Sequence, residues 1–148
     1  MVYLSNPLTW VVVFTTLLIV TACIGLHYEI LSHSRQYLKK LSERRRQRVL
    51  VLIFIILLAH TAEIWLFAAG YKILLDGFGA GELVGSGVES IADYVYYSAV
   101  VFTTVGFGDL SPVGPIRFMT GVEALVGLVM ITWSASYTFL EMQLDWRN

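Results

Sequence analysis

The chain has 148 residues, of which 57% are hydrophobic and only 14% are charged. A soluble domain usually carries about 25% charged residues, so this composition excludes an ordinary cytoplasmic enzyme and also a disordered chain. The length accommodates about three membrane-spanning helices of ~20 residues each. We therefore expect an integral membrane protein with no additional soluble domain.

The first apolar segment predicts a spanning helix over about residues 8–28, within an N-terminal unit of residues 1–48. Residues 8–26 contain no ionisable side chain, and no Lys or Arg precedes them. A secretory signal peptide has the opposite charge order. The positive-inside rule makes the basic linker that follows cytoplasmic and places the N-terminus outside. Its side chains also suit anionic lipid, whereas the linker is too short and membrane-tethered to suggest nucleic-acid binding; they are Arg35, Lys39, Lys40, Arg44, Arg45, Arg46 and Arg48.

Two further apolar segments predict an outer helix over residues 49–71 and an inner helix over residues 115–141, which leaves the C-terminus in the cytoplasm. After the outer helix comes a glycine-rich segment from Asp76 to Gly87 without helical periodicity. Such glycine density favours irregular backbone, so an outer loop is expected here.

Residues 91–103 predict a short helix that enters the membrane and returns to the same side. This apolar and aromatic segment is too short to cross ~30 Å of hydrocarbon. Non-helical backbone at membrane depth is tolerated only where protein buries it or where it lines a water-filled cavity. The unit formed by residues 49–148 occurs once, so several chains would be needed to enclose a pore.

The short helix ends in Thr103-Thr104-Val105-Gly106-Phe107-Gly108-Asp109. Glycines at alternate positions permit an extended strand whose carbonyls point toward one side. This segment resembles the selectivity filter of the potassium channel superfamily, with Phe107 in place of the commoner tyrosine of the TVGYG pattern. The match sits between two predicted spans and directly after a half-span, which makes it specific.

The resemblance implies an all-α membrane protein: three transmembrane helices, a re-entrant pore helix and a filter loop at residues 104–109, assembled as a homotetramer. Such a protein conducts K⁺ passively and is not an enzyme. Dehydrated K⁺ ions are expected to bind in the filter, and no cofactor is implied. The ion-binding residues would be Thr104, Val105, Gly106, Phe107 and Gly108.

Other residues are expected to support the filter or the gate. Either Tyr96 or Tyr97 is expected to donate a hydrogen bond to Asp109 of its own or a neighbouring chain; the alternative is that both rings make packing contacts only. Thr103 directly precedes the filter and is expected to support it. Gly127 is either a hinge of the inner helix or a close-packing site. Helical spacing from Gly127 suggests a cavity lining formed by Ile131, Ala135 and Phe139.

Ionisable residues inside spans are costly and become functional hypotheses. The candidates are His60 and Glu63 in the outer helix and Glu123 in the inner helix, with Arg117 at its start. They either form a pH-linked network behind the filter or satisfy one another as interhelical contacts. His27 is expected to be interfacial. A further resemblance, to small bacterial channels with one extra N-terminal span, rests on His60, Glu63, Trp65, Glu123, Gly127 and Trp133. The compact plan suggests a bacterial inner-membrane location.

Alternative functions remain open at this stage. A non-selective cation channel usually disrupts the filter, whereas Gly106-Phe107-Gly108 is intact. A potassium-transporter subunit carries four degenerate pore loops in one chain. A non-conducting accessory membrane protein would need ion-flux data to be excluded.

Overall fold

The computed structural model describes residues 7–41, 45–85 and 87–146. Within these ranges the chain forms long helices α1 (Pro7–Leu41), α2 (Arg45–Lys72) and α4 (Arg117–Trp146), a short helix α3 (Ile91–Phe102), and strands β1 (Glu82–Gly85) and β2 (Leu110–Val113). The order is α1, α2, β1, α3, β2, α4.

Three helical segments are long and apolar enough to cross a membrane: Pro7–Leu38, Gln47–Gly77 and Arg117–Gln143. Their outer faces carry exposed apolar side chains such as Phe14 and Leu58, as expected for surfaces that contact lipid. α3 has 12 residues and therefore a length of about 18 Å, which is too short to span. The prediction of an all-α membrane protein is confirmed.

The basic connection differs from the predicted linker. α1 continues to Leu41, so Arg35 lies on this helix, while Arg48 lies on α2. Residues 27–41 contain neither Gly nor Pro, which explains why the helix continues past the apolar segment. Arg44 lies outside the described residues, and so do the side chains of Lys39, Lys40, Arg45 and Arg46.

The outer segment is more regular than the expected loop. α2 continues through a π-helical turn, Ile73–Gly77, and β1 then pairs antiparallel with β2, with Gly85 opposite Leu110. A Cβ atom on Gly81 would overlap the carbonyl oxygen of Val113, and one on Gly85 would overlap that of Asp109. The glycines therefore permit close backbone approach here, which composition alone cannot distinguish from disorder.

The main apolar core lies where α2, α3 and α4 meet. Its largest fully buried side chains include Phe67, Tyr71, Phe102, Ile116 and Met119. α1 packs against both α2 and α4, and a second apolar cluster lies toward its C-terminal half, around Leu31 and Leu52. The core packs against the buried face of α3 and so fixes the position of its last turn.

Candidate functional site

The segment that follows α3 has an alternating backbone conformation. Thr104, Gly106 and Gly108 have φ values of 60°, 58° and 80°, whereas φ is not positive at the intervening Val105 and Phe107. Alternation in the sign of φ allows an extended segment to turn successive carbonyl groups toward one side. Thr104 is the one non-glycine with positive φ among the described residues, at a cost of roughly 1 to 2 kcal/mol. Such strain is typical of functional backbone.

The segment is attached to the end of α3 by backbone hydrogen bonds. The amide of Thr104 donates to the carbonyl of Val101 at 2.9 Å, and the amides of Val105 and Gly106 both donate to the carbonyl of Val100, at 3.1 and 3.2 Å. Beyond this attachment the segment is open: Val105 is 56% exposed and Phe107 is 70% exposed. A single chain therefore leaves apolar side chains of the predicted filter uncovered.

The two tyrosines of α3 have different partners. The Tyr96 hydroxyl donates to Asp109 Oδ2 at 2.7 Å, whereas the Tyr97 hydroxyl lies 3.1 Å from that of Thr120 in α4. Tyr96 is thus the side chain that links α3 to the outer end of the segment. The Thr103 hydroxyl donates back to the carbonyl of Ala99 at 2.7 Å and stabilises the last turn of α3.

Glu123 joins three helices behind the filter segment. It is fully buried, and its carboxylate accepts hydrogen bonds of 2.5 Å from Ser98 of α3 and from Tyr71 of α2. The Ser98 hydroxyl also lies 2.9 Å from the carbonyl oxygen of Ile64. Sequence reasoning identified Glu123 but missed Tyr71 and Ser98. Arg117 is exposed at the start of α4 and is not among these partners.

Glu63 lies in a separate cluster between α1 and α2. One carboxylate oxygen is 2.7 Å from His27 Nδ1, and the other is 2.8 Å from His60 Nδ1. His27 and Glu63 are fully buried. The expectation that His27 is interfacial is therefore wrong. Helical spacing in the sequence could have indicated that His27 is buried, because it lies one turn from the apolar residues Cys23 and Leu31 on the same helix face. Both of these residues are buried in the structure.

Gly127 occupies a close-packing site. A Cβ atom there would overlap the carbonyl oxygen of Phe102, the last residue of α3. This contact supports close packing, rather than the hinge, as the reason for glycine. The residues predicted to line the cavity share one face of α4, which borders a groove of about 450 Å³ between α2 and α4; they are Ile131, Ala135 and Phe139.

The first turn of α3 carries a carboxylate that satisfies free backbone donors. Asp93 Oδ2 accepts hydrogen bonds from the amides of Glu89 and Ser90, at 2.9 and 2.8 Å, and from the Ser90 hydroxyl at 2.9 Å. These bonds favour the ionised form and lower the pKa of Asp93 below its ordinary value. The carboxylate thus fixes where α3 begins.

Together, the spanning helices, the half-span and the open segment after it define an integral membrane protein built around a re-entrant pore loop. Residues 49–143 match a family model described as "Ion channel", which covers more than half of the chain. The chain therefore belongs to this two-transmembrane, potassium-channel-like ion channel family, and the predicted superfamily resemblance is confirmed. α1 lies outside the matched region.

A curated relative is described as an uncharacterized membrane protein, YdjJ, of Bacillus subtilis (strain 168). It is 34% identical over 87 residues, which represent 55% of this chain and 26% of the relative. The chain thus spans about a quarter of that relative's length. No solved structure matches the chain.

Proposed function

We propose that this ion channel is a potassium-selective homotetramer and that K⁺ crosses it passively through residues 104–108. The observation that carries the proposal is the alternating backbone conformation, with positive φ at Thr104, Gly106 and Gly108. Successive carbonyl groups turned to one side can replace the hydration shell of K⁺ when several chains surround an axis. The Thr104 hydroxyl would supply the innermost oxygens.

Assembly into a tetramer accounts for the open filter segment. One chain exposes Val105 and Phe107, and neighbouring pore units would cover these side chains. The four-fold count comes from the family resemblance. Ile131, Ala135 and Phe139 would then contribute to the inner cavity or to contacts between adjacent inner helices.

The supporting residues have distinct roles in this proposal. Tyr96 would hold the outer end of the filter through Asp109, and Glu123 would fix α3 through Ser98. The intact Gly106-Phe107-Gly108 sequence favours potassium selectivity over a non-selective cation channel.

The chain would reside in a bacterial inner membrane, with the N-terminus outside and the C-terminus in the cytoplasm. At the cytoplasmic side, α1 and α4 border a pocket of about 510 Å³ whose lining includes Tyr28, Arg35 and Trp133. Aromatic and basic side chains together suit the headgroup region of a membrane. Anionic phospholipid at Arg35 would complement the basic charge of this side.

The test is the reversal potential of the purified protein in a planar bilayer, with potassium on one side and sodium on the other. A value near the potassium limit is expected. Gly106→Ala should abolish selectivity or conduction, because φ of 58° strains any residue with a Cβ atom. Gly121→Ala is the matched control, since an added Cβ there has no neighbour within 4 Å.

A reversal potential near zero with measurable current would instead indicate a non-selective cation channel. Absence of current from a correctly assembled protein, over a range of voltages and pH values, would favour a non-conducting accessory protein. Normal selectivity in the Gly106→Ala variant would contradict the assignment of the filter.

A further inference from the structure

His27, His60 and Glu63 form a cluster of potential metal ligands inside the helical bundle. The nitrogen and oxygen atoms that they offer all lie within 4.8 Å of one another. Two of these side chains are fully buried, and that of His60 is 15% exposed. We propose that this cluster binds a divalent first-row transition-metal ion such as Zn²⁺. The metal would thereby join α1 to the pore module, which is the family-matched region of residues 49–143.

The donor set has the chemistry of a transition-metal site. Two imidazole nitrogens and one carboxylate form a known ligand set for Zn²⁺, in which a fourth position remains open for water. Imidazole ligands favour Zn²⁺, Cu²⁺ or Ni²⁺ over Mg²⁺ and Ca²⁺, which prefer oxygen ligands. The proposed site is therefore chemically distinct from the potassium filter.

The geometry requires only a small rearrangement. Each histidine now presents its Nδ1 atom to a different oxygen of Glu63, at 2.7 and 2.8 Å. Tetrahedral bonds of about 2.0 Å place neighbouring ligand atoms about 3.3 Å apart. Each histidine nitrogen must therefore move about half an ångström away from its carboxylate oxygen, and the two histidine nitrogens, now within 4.8 Å of each other, must adopt the same spacing of about 3.3 Å as the metal replaces the protons.

The surroundings of His27 suit a metal ligand. Ser134 Oγ lies 3.2 Å from His27 Nε2, so it can accept a hydrogen bond from the Nε2–H group when Nδ1 binds metal. Such a partner on the second ring nitrogen orients most metal-binding histidines. Trp133 packs 5.1 Å from the His27 ring and Phe102 packs 5.8 Å from the His60 ring, between ring centroids. The imidazoles are thus held in place before metal arrives.

His60 gives the cluster an opening. It lines the groove of about 450 Å³ between α2 and α4, together with Ser134. The groove is a path by which an ion can reach the cluster and a water molecule can reach the open coordination position. The buried side of the cluster is closed by α1.

Charge also favours a cation here. Among the described residues, the ion-pair partners of Glu63 are the two histidines. An ionised carboxylate inside a span is stabilised by a nearby positive charge. When both imidazoles are neutral, a metal ion supplies that charge without requiring a proton.

Metal binding to the purified channel tests the proposal. Equilibrium dialysis against Zn²⁺ should give one tightly held ion per chain, and the unfolding temperature should rise with Zn²⁺ concentration. His27→Gln and Glu63→Gln should each lose this ion. The matched control is His33→Gln on the same helix, because His33 is an exposed histidine 3.3 Å from Glu29.

A measurement on the unaltered protein remains decisive if a variant fails to fold. X-ray absorption at the zinc edge should show two imidazole ligands in a four-coordinate site. A spectrum with fewer than two imidazoles, or loss of the ion in His33→Gln but not in His27→Gln, would overturn the proposal. So would the absence of any bound ion, which would leave the cluster as a proton-sharing contact only. None of these results depends on potassium selectivity.

Discussion

At the scale of single residues, glycine has two different purposes in the pore region. Gly106 has a left-handed conformation with open space around its Cα atom, so its value is conformational. Gly127 lies in the middle of α4, and its value is the absence of a side chain beside Phe102. The sequence predicted the first purpose from the motif, but left the second open between hinge and packing.

Gly127→Ala should lower the free energy of unfolding by about 1 to 3 kcal/mol, because the added methyl group pushes α4 away from the end of α3. Thermal unfolding of the purified protein measures this effect, with Gly121→Ala as a variant in the same helix that adds a methyl group in open space. Equal stability of both variants, accompanied by altered gating, would instead support a hinge.

The buried hydrogen-bond partners of Glu63 and Glu123 could not be predicted from the sequence. Glu63 and Glu123 were identified because ionisable residues are rare in spans. His27 is 36 positions away from Glu63, and Tyr71 is 52 away from Glu123. Such pairings depend on how each helix is rotated about its axis, and an apolar segment of nearly uniform hydrophobicity gives little indication of that rotation.

At the scale of elements, α3 is defined at both ends by hydrogen bonds. Where the helix begins, the Asp93 carboxylate accepts hydrogen bonds from backbone amides. Where it ends, the carbonyls of Val100 and Val101 accept hydrogen bonds from the amides of the filter segment. The half-span was predictable from its length and apolar character. Strand β1 was not, because its pairing with β2 joins segments on opposite sides of α3.

Asp93 should make stability depend on pH at the acidic end. Its pKa is lower in the folded protein than in the unfolded chain, so the stabilisation is complete above the unfolded value. It is lost as the pH falls through the lower folded value. Unfolding followed from about pH 5 to about pH 2 should therefore show a decline that is smaller in Asp93→Asn. Glu82→Gln, which removes an exposed carboxyl group from β1, should leave the decline unchanged.

At the scale of the whole molecule, α1 is an additional helix packed on a pore module. It contacts both α2 and α4, although the family match begins at residue 49. At Gly70 the three long helices pack closely together, since a Cβ atom there would overlap the side chains of Ile19 and Met119. The sequence predicted the first span, but not where this contact lies.

Gly70→Leu should displace α1 and expose Cys23, the only cysteine of the chain. This thiol is fully buried, so its reaction with a small membrane-permeant thiol reagent should be slow in the unaltered protein. We expect a rate increase of about tenfold in the variant, as overpacking of 1 to 3 kcal/mol predicts. Gly25→Leu, which adds a side chain in open space on α1, serves as the control. Equal rates would show that α1 is anchored elsewhere.

The hydrogen bond between His27 and Glu63 also has a consequence for insertion of the chain into the membrane. A charged side chain near the middle of a span makes insertion of that span unfavourable by about 2.5 to 3.5 kcal/mol. α1 carries the histidine that is hydrogen-bonded to the Glu63 carboxylate, and only residues 42–44 separate α1 from α2. The two helices are therefore best inserted together as a hairpin. In that case α1 acts during biosynthesis by carrying the acidic outer helix of the pore into the bilayer.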